Sequence, residues 1–90
     1  PVSGRIDRLV IADDHVLAVD FKTGRQVPEG PEGVDLRHLR QMAAYRAGLR
    51  RIHPGLPVRM ALLYTERPVL IGIPDALLDR AYEQLVVSRT

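Results

Sequence analysis

Cysteine is absent from the 90-residue chain. Its absence excludes disulfides, zinc ribbons and iron–sulfur clusters built from these residues, and is typical of intracellular proteins. No apolar run approaches the roughly 20 residues of a membrane span, and the first residues lack the apolar stretch of a secretion signal. We therefore expect a cytoplasmic protein that does not interact with a membrane.

Lysine is almost as scarce, because Lys22 is the only lysine among 13 basic residues. The arginine bias and the formal net charge of +2 are compatible with a nucleic-acid surface. Genomic base composition explains the same bias equally well. A compact ammonium differs from a guanidinium in its point charge and its tunable pKa. The single lysine is therefore a candidate for a chemical role.

Apolar patterning divides the chain into six elements in the order ββαββα. The predicted strands are residues 5–11, 16–22, 58–65 and 69–73, and the predicted helices are residues 36–52 and 75–87. A loop rich in glycine and proline, residues 23–34, precedes the long helix, and Asp35 is its predicted N-cap. The length fits one α/β domain. Both faces of the first two strands are apolar and need cover.

The register of the first hairpin decides whether two aspartates meet. A turn of two or four residues sets Asp7 opposite Asp20, whereas a turn of three residues sets Asp7 opposite Phe21. The sequence leaves this choice open. With the even turn, Asp7, Asp20 and Lys22 lie at the open end of one hairpin face. The apolar positions nearer the turn on that face are Leu9, Ile11, Val16 and Ala18.

Directly opposed carboxylates repel each other and need a cation between them. In the structural interpretation, Arg5 or Lys22 supplies that cation as a salt bridge. In the functional interpretation, a divalent ion such as Mg²⁺ binds Asp7, Asp20 and the backbone carbonyl of Phe21. Lys22 then lies beside the metal, where it neutralises charge that builds up on a phosphate. The spacing alone favours neither interpretation.

Two runs, GRIDRLVIADDHVLAVDFKTG and HLRQMAAYRAGL, resemble the nuclease domain that ends the AddA and RecB subunits of bacterial helicase-nucleases. These domains are a branch of the PD-(D/E)xK superfamily. The likeness continues through PVRMALLYTERPVLIGIP, where the chain is most similar to the C-terminal end of AddA. The residues that match the family's motifs are Gly4, Ile6, Asp7, Asp20, Lys22, Gln41 and Tyr45.

The resemblance implies a fold and a chemistry. The fold would be a restriction-endonuclease-like mixed sheet flanked by helices. Asp7 and Asp20 would bind Mg²⁺ or Mn²⁺, and Lys22 would be the catalytic lysine. Gln41 and Tyr45 would support catalysis from the following helix, facing the metal site or DNA. The activity would be that of a DNA exonuclease or endonuclease that hydrolyses phosphodiester bonds through a metal-activated water.

The resemblance also implies a larger protein around this chain. Residues 1–90 would be a partial nuclease-domain core, at the C-terminal end of a helicase-nuclease that repairs double-strand breaks. The family's upstream helix, which carries a histidine or glutamate of the metal site, does not occur within the sequence. The expected partners are single-stranded DNA or unwound duplex ends, the helicase portion of the same protein and a second helicase-nuclease subunit.

Polar residues of the long helix are candidates for contact with DNA. His38, Gln41 and Tyr45 recur at helical spacing and form one stripe. Arginines near the end of the helix suit the helix dipole, and contact with DNA phosphates is the functional alternative for them. The candidate DNA-binding residues are Arg5, His38, Arg46 and Arg50.

A non-catalytic DNA-binding or docking module on a decayed nuclease fold is the main alternative function. Loss of a site residue would indicate such decay, and Asp7, Asp20 and Lys22 are all present. A purely structural α/β domain is a further alternative. It leaves the clustering of these charges at one strand end unexplained.

Overall fold

The chain folds into a four-stranded mixed sheet with two long helices. The structure is a computed structural model that describes residues 6–88. The elements are β1 Arg8–Ile11, β2 Val16–Lys22, a 3-10 helix Pro31–Gly33, α1 Leu36–Ile52, β3 Val58–Tyr64, β4 Val69–Ile73 and α2 Asp75–Ser88. The predicted order ββαββα and the α/β class are confirmed. The first strand is shorter than predicted: it begins at Arg8, Ile6 and Asp7 precede it, and Arg5 lies outside the described residues.

The sheet has the strand order β1-β2-β3-β4. The outer pairs, β1 with β2 and β3 with β4, are antiparallel, while the central pair β2 and β3 is parallel. Parallel neighbours need a long crossover, and the loop with α1 supplies it. As a result the C-terminal ends of β2 and β3 lie side by side, where Lys22 pairs with Tyr64.

Both helices pack on one face of the sheet. The core on that face joins alternate residues of β2, β3 and β4 to the apolar sides of α1 and α2. Its fully buried members include Val16, Ala18, Met42, Leu62 and Leu78. Leu9 and Ile11 point to the same face but are about half exposed, because the core does not extend to the edge strand β1. Of the apolar positions predicted for this hairpin face, only those on β2, Val16 and Ala18, are buried in the core.

The opposite face of the sheet is only partly covered among residues 6–88: Val19 and Ala61 are buried on it, but larger apolar side chains are not. Phe21, Leu63 and Leu70 are aligned across β2, β3 and β4 on this face, and Leu70 is 61% exposed. Val10 of β1 is exposed on the same face. The apolar character of both strand faces, evident in the sequence, is thus matched by helical cover on one side only.

Local signals fix the ends of α1. The Asp35 carboxylate accepts a hydrogen bond of 2.8 Å from the backbone N–H of Arg37, as an N-cap residue does. At the other end, Pro54 cannot continue a helix, and Gly55 adopts a φ of 90°, which a side chain would disfavour. The helix that carries Gln41 and Tyr45 therefore starts and stops as predicted.

Replacing Asp35 with alanine is expected to lower the thermal unfolding midpoint in a pH-dependent manner. Hydrogen bonds from Arg37 lower the pKa of Asp35 from 3.8 to about 2. Because the folded-state pKa is the lower one, the stabilisation is complete above the ordinary pKa and is lost as pH falls towards 2. Thermal unfolding of wild type and Asp35→Ala at about pH 6, 4 and 2.5 measures this. A difference in midpoint that stays constant over this range would contradict the assignment.

Candidate active site

The turn of the first hairpin contains two residues. The backbone N–H of Ala12 donates a 2.9 Å hydrogen bond to the carbonyl of His15, so Asp13 and Asp14 form the turn. The ladder pairs Arg8 with Val19 and Ile11 with Val16. This is the even register that the sequence left open. The ladder ends at Arg8, so Asp7 lies one residue before β1, next to Asp20 but outside the paired strand.

Asp7 is held at the open end of the hairpin by the backbone of β2. Its Oδ2 accepts a 2.8 Å hydrogen bond from the backbone N–H of Phe21. The side chain of Asp20 lies close enough for the Asp7 carboxylate to affect its pKa. The two carboxylates therefore form a pair beyond the end of β1, beside the last residues of β2.

Lys22 connects this carboxylate pair to α1. Its Nζ lies 2.7 Å from Asp20 Oδ2 and donates a 3.4 Å hydrogen bond to Gln41 Oε1. The backbone N–H of Thr65 donates a 3.0 Å hydrogen bond to the Lys22 carbonyl and fixes the strand end. Asp20, Lys22 and Gln41 thus form a continuous polar chain across the covered face of the sheet.

The environment of Asp20 disfavours its negative charge. The residue is 6% exposed, and burial raises its pKa, with a further upward contribution from Asp7. The Lys22 ammonium acts in the opposite direction but does not cancel these effects. A salt bridge that fully stabilised the carboxylate would lower its pKa, whereas the pKa of Asp20 is raised. The ion pair with Lys22 therefore compensates the buried charge only in part. Perturbation of this kind is typical of functional sites.

Tyr45 and His38 lie near the same charges. The Tyr45 hydroxyl is buried without a hydrogen-bond partner among the described residues, and its pKa is raised by burial and then by Asp20 and Asp7. The pKa of His38 is lowered by burial and then by Lys22. The stripe of His38, Gln41 and Tyr45 inferred from helical spacing therefore faces the end of the hairpin.

Arg46 lies elsewhere, between the two helices. It is 3% exposed, and its guanidinium donates a 3.0 Å hydrogen bond to Asp75 and a second one to Asp79 of α2. At about 100° per residue, Arg46 is roughly 140° around α1 from Gln41. A guanidinium in this position joins α1 to α2 and has no free edge for a phosphate, so the predicted DNA contact of Arg46 is not retained.

Arg50 faces the same inter-helix groove. It lines the groove together with Asp79, Tyr82 and Glu83 of α2. Its position is roughly 180° around α1 from Gln41, at about 100° per residue. The side chain is exposed, but the structure does not bring it to the carboxylate pair. The other arginine predicted to bind DNA, Arg5, and the motif glycine Gly4 lie outside the described residues.

The carboxylate pair suits a metal that needs few protein ligands. Among residues 6–88 no group of three or more histidine, cysteine, aspartate or glutamate side chains is arranged to hold a metal ion. Mg²⁺ commonly binds one or two carboxylates and keeps several waters. Two adjacent carboxylates, one of them buried with a raised pKa, fit that requirement. Histidine and cysteine ligand sets, typical of zinc, do not occur at this position.

Comparison with known families identifies the class of protein. A family model described as the PD-(D/E)XK nuclease superfamily matches residues 1–87. The chain therefore belongs to this superfamily of nucleases, and its mixed sheet with two helices is consistent with a restriction-endonuclease-like fold. No curated protein and no solved structure matches the chain significantly. Among the described residues no helix is long and apolar enough to cross a membrane.

Two features became evident only in the structure. Tyr64 is a buried core residue, and it is also the direct strand neighbour of Lys22 and lines a cleft with His38. Asp75 and Asp79 were not recognised as partners of an arginine. Spacing offered a signal for the second feature, because Asp75 and Asp79 are four apart on one helix and share a face.

Proposed function

We propose that the chain is the nuclease-domain core of a DNA-repair helicase-nuclease of the AddA or RecB type and hydrolyses DNA phosphodiester bonds with Mg²⁺. One observation carries the proposal: Lys22 lies between Asp20 and Gln41 at the strand end where Asp7 is also held. Membership of the nuclease superfamily supports the chemistry. The motif resemblance supports the helicase-nuclease branch. A repair enzyme of this kind would work in the cytoplasm.

Asp7 and Asp20 would hold the metal ion, together with the backbone carbonyl of Phe21. Bound Mg²⁺, or Mn²⁺ in its place, supplies a Lewis acid and lowers the pKa of coordinated water. The raised pKa of Asp20 shows that its carboxylate lacks full compensation by Lys22. A site with that deficit favours a further cation.

Lys22 would act on the substrate phosphate. Its ammonium is a compact donor that can turn from Asp20 towards a phosphoryl oxygen, where it stabilises the negative charge that develops during hydrolysis. Gln41 holds Nζ from the helix side through the 3.4 Å hydrogen bond. Tyr45, whose buried hydroxyl has no hydrogen-bond partner within residues 6–88, can donate a hydrogen bond to the substrate or to an ordered water. Lys22 comes from the end of β2, and Gln41 and Tyr45 come from one face of α1.

DNA would approach this strand end as a single strand or an unwound duplex end. The helicase portion of the same protein and a second helicase-nuclease subunit are the proposed partners that deliver it. His38 remains a proposed DNA contact, because it lies on the Gln41 side of α1. Arg5 also remains one on sequence grounds alone.

Replacement of Lys22 by alanine is the direct test of this function. We expect Mg²⁺-dependent cleavage of labelled single-stranded DNA by the wild-type chain and a rate roughly 10²–10³-fold lower in Lys22→Ala. Lys22→Arg should not restore the rate, since a planar guanidinium does not reproduce the contacts of a compact ammonium. Equal rates in wild type and Lys22→Ala would contradict the catalytic assignment.

The same assay separates the main alternative. A non-catalytic DNA-binding module would bind the labelled strand with Mg²⁺ and never cleave it. Arg67→Ala is the matched control, because Arg67 is an exposed cation in the turn between β3 and β4. It should cleave at the wild-type rate, which shows that loss of positive charge is not itself the cause.

A further inference from the structure

A cleft separate from the inter-helix groove lies beside the strand end that carries Asp20 and Lys22, called the catalytic cluster below. It has a volume of about 410 Å³ and is formed by the start of α1, the end of β3 and the loop before the 3-10 helix. Pockets that bind small ligands begin at roughly 300 Å³. The lining residues used below are Gln26, Val27, Pro28, Asp35, His38 and Tyr64.

Two contacts connect the cleft to the catalytic cluster. Tyr64 is the direct partner of Lys22 in the parallel β2–β3 ladder. His38 lies one helical turn before Gln41, which binds Lys22 Nζ. The backbones of Tyr64 and Lys22 are therefore one strand spacing apart, about 5 Å. The cleft thus adjoins the residue proposed to act on the phosphate, as neighbouring parts of one nucleotide require.

The walls of the cleft suit a flat ring with polar edges. Val27 and Pro28 provide accessible apolar surface, and Tyr64, a buried core residue, lines the cleft from the sheet side. Polar groups come from Gln26 and from His38, whose Nδ1 is buried without a hydrogen-bond partner among the described residues. An apolar surface with a few directed polar groups is typical of a small-molecule site. A nucleobase combines a stacking face with donors and acceptors on its edge.

The charges around the cleft do not favour a phosphate there. No lysine or arginine of residues 6–88 is among its lining residues, and its acidic residue, Asp35, is ionised at neutral pH in an ion pair with Arg37. Burial lowers the pKa of His38 below its ordinary value, so its imidazole is neutral at pH 7. The Asp35 charge also raises the pKa of Tyr64, after burial. A neutral base therefore fits this cleft, and the anionic phosphate belongs with Lys22.

We propose that this cleft is a nucleobase subsite, which holds the base next to the phosphate presented to Asp7, Asp20 and Lys22. The proposal rests on the proposed nuclease function and adds a part of the substrate that the strand-end residues do not contact. A base seated against Val27, Pro28 and His38 would fix the register of the DNA strand. Cleavage would then depend on the presence of that base as well as on the backbone.

Histidine ring-proton NMR tests the subsite without any cleavage. The chain has 3 histidines, so the signals of His15, His38 and His53 can be assigned by single His→Gln variants. Thymidine 5′-monophosphate or deoxyadenosine 5′-monophosphate, up to about 10 mM with EDTA, should shift the His38 signals and leave the other two unchanged. Deoxyribose 5-phosphate should have no effect on His38. Equal shifts with deoxyribose 5-phosphate, or no shift with either nucleotide, would overturn the proposal.

A cleavage experiment then separates the subsite from the nuclease function. Single-stranded oligonucleotides with one abasic position should be cut roughly 10-fold more slowly at the adjacent phosphate than intact strands, because one stacked base is lost. His38→Gln, or the surface variant Gln26→Ala, should reduce this preference, and His53→Gln should retain it. Cleavage without any preference overturns the subsite and leaves the nuclease. Base-specific NMR shifts in a chain that never cleaves refute the nuclease and retain a base-binding cleft.

Discussion

Replacing Asp20 with asparagine is expected to abolish metal binding and cleavage while leaving the metal-free fold at least as stable as wild type. Cleavage should fall by at least roughly 10²–10³-fold, because a metal ligand and the partner of Lys22 are lost together. The fold should tolerate the change because Asp20 is buried and its carboxylate is under-compensated, while Lys22 is 18% exposed and keeps its hydrogen bond to Gln41. Few substitutions of a buried charge combine these two effects.

The sign of the stability effect follows from the pKa of Asp20. Burial raises this pKa in the folded state, so the folded chain holds the proton more tightly than the unfolded chain. Stability then decreases as pH rises from the ordinary value of 3.8 through the folded pKa, and remains lower at neutral pH. A neutral asparagine removes that cost. The structural salt-bridge interpretation predicts the opposite sign, a less stable Asp20→Asn variant.

Calorimetric titration with Mg²⁺ or Mn²⁺ and thermal unfolding with and without metal measure both effects. Wild type should bind metal saturably and unfold at a higher temperature with metal present. Asp20→Asn should do neither, and its metal-free midpoint should equal or exceed that of wild type. Asp13→Asn is the matched control, since Asp13 is an exposed carboxylate in the hairpin turn. Undiminished metal binding by Asp20→Asn would refute the assignment of the site.

Removing both carboxylates that bind Arg46 is expected to destabilise the fold by about 3 kcal/mol. The Asp75→Ala and Asp79→Ala double variant leaves a guanidinium that is 3% exposed without an anionic partner. An uncompensated buried charge costs much more than the loss of two exposed carboxylates. The loss should therefore exceed anything produced by a surface acidic residue of α2.

A third substitution distinguishes charge from packing. Arg46→Met in the double-alanine background should recover most of the lost stability, because it replaces the buried cation with an apolar chain of similar length. Urea unfolding gives the three free energies of unfolding. Glu83→Ala, an exposed acidic residue on α2, should change stability by less than about 0.5 kcal/mol. A double-alanine variant within that margin of wild type would show that the ion pairs are not needed.

The sequence predicted the fold to a large extent because its local signals agree with the tertiary structure. The apolar runs of β3 and β4, the N-cap at Asp35 and the stop at Pro54 each indicated the boundary that the structure shows. Which face of the sheet the helices cover was harder to predict from the sequence. Alternation identifies two apolar faces, but which face receives α1 and α2 depends on packing between distant elements.

The candidate site was predictable in its members and not in its geometry. Asp7, Asp20 and Lys22 stand out by residue type, yet their meeting depended on the length of one turn, which sequence alone left open. Arg46 illustrates the reverse case. Its angle on α1 relative to Gln41 was available from the sequence, but the acidic partners on α2 become evident only once the helices are packed. The cleft required the loop conformation and had no signal in the sequence.

The parallel pairing of Lys22 with Tyr64 joins residues far apart in the chain. Such contacts form late, because the intervening loop and helix must lose their freedom before any pairing energy is gained. The first hairpin can close early from local contacts, and it already contains both aspartates. The hairpin therefore acquires its carboxylates during early folding, but the lysine gains its helical support only when β3 docks. If these residues act as proposed, cleavage would require the completed fold, because a chain in which β3 has not docked lacks the pairing of Lys22 with Tyr64.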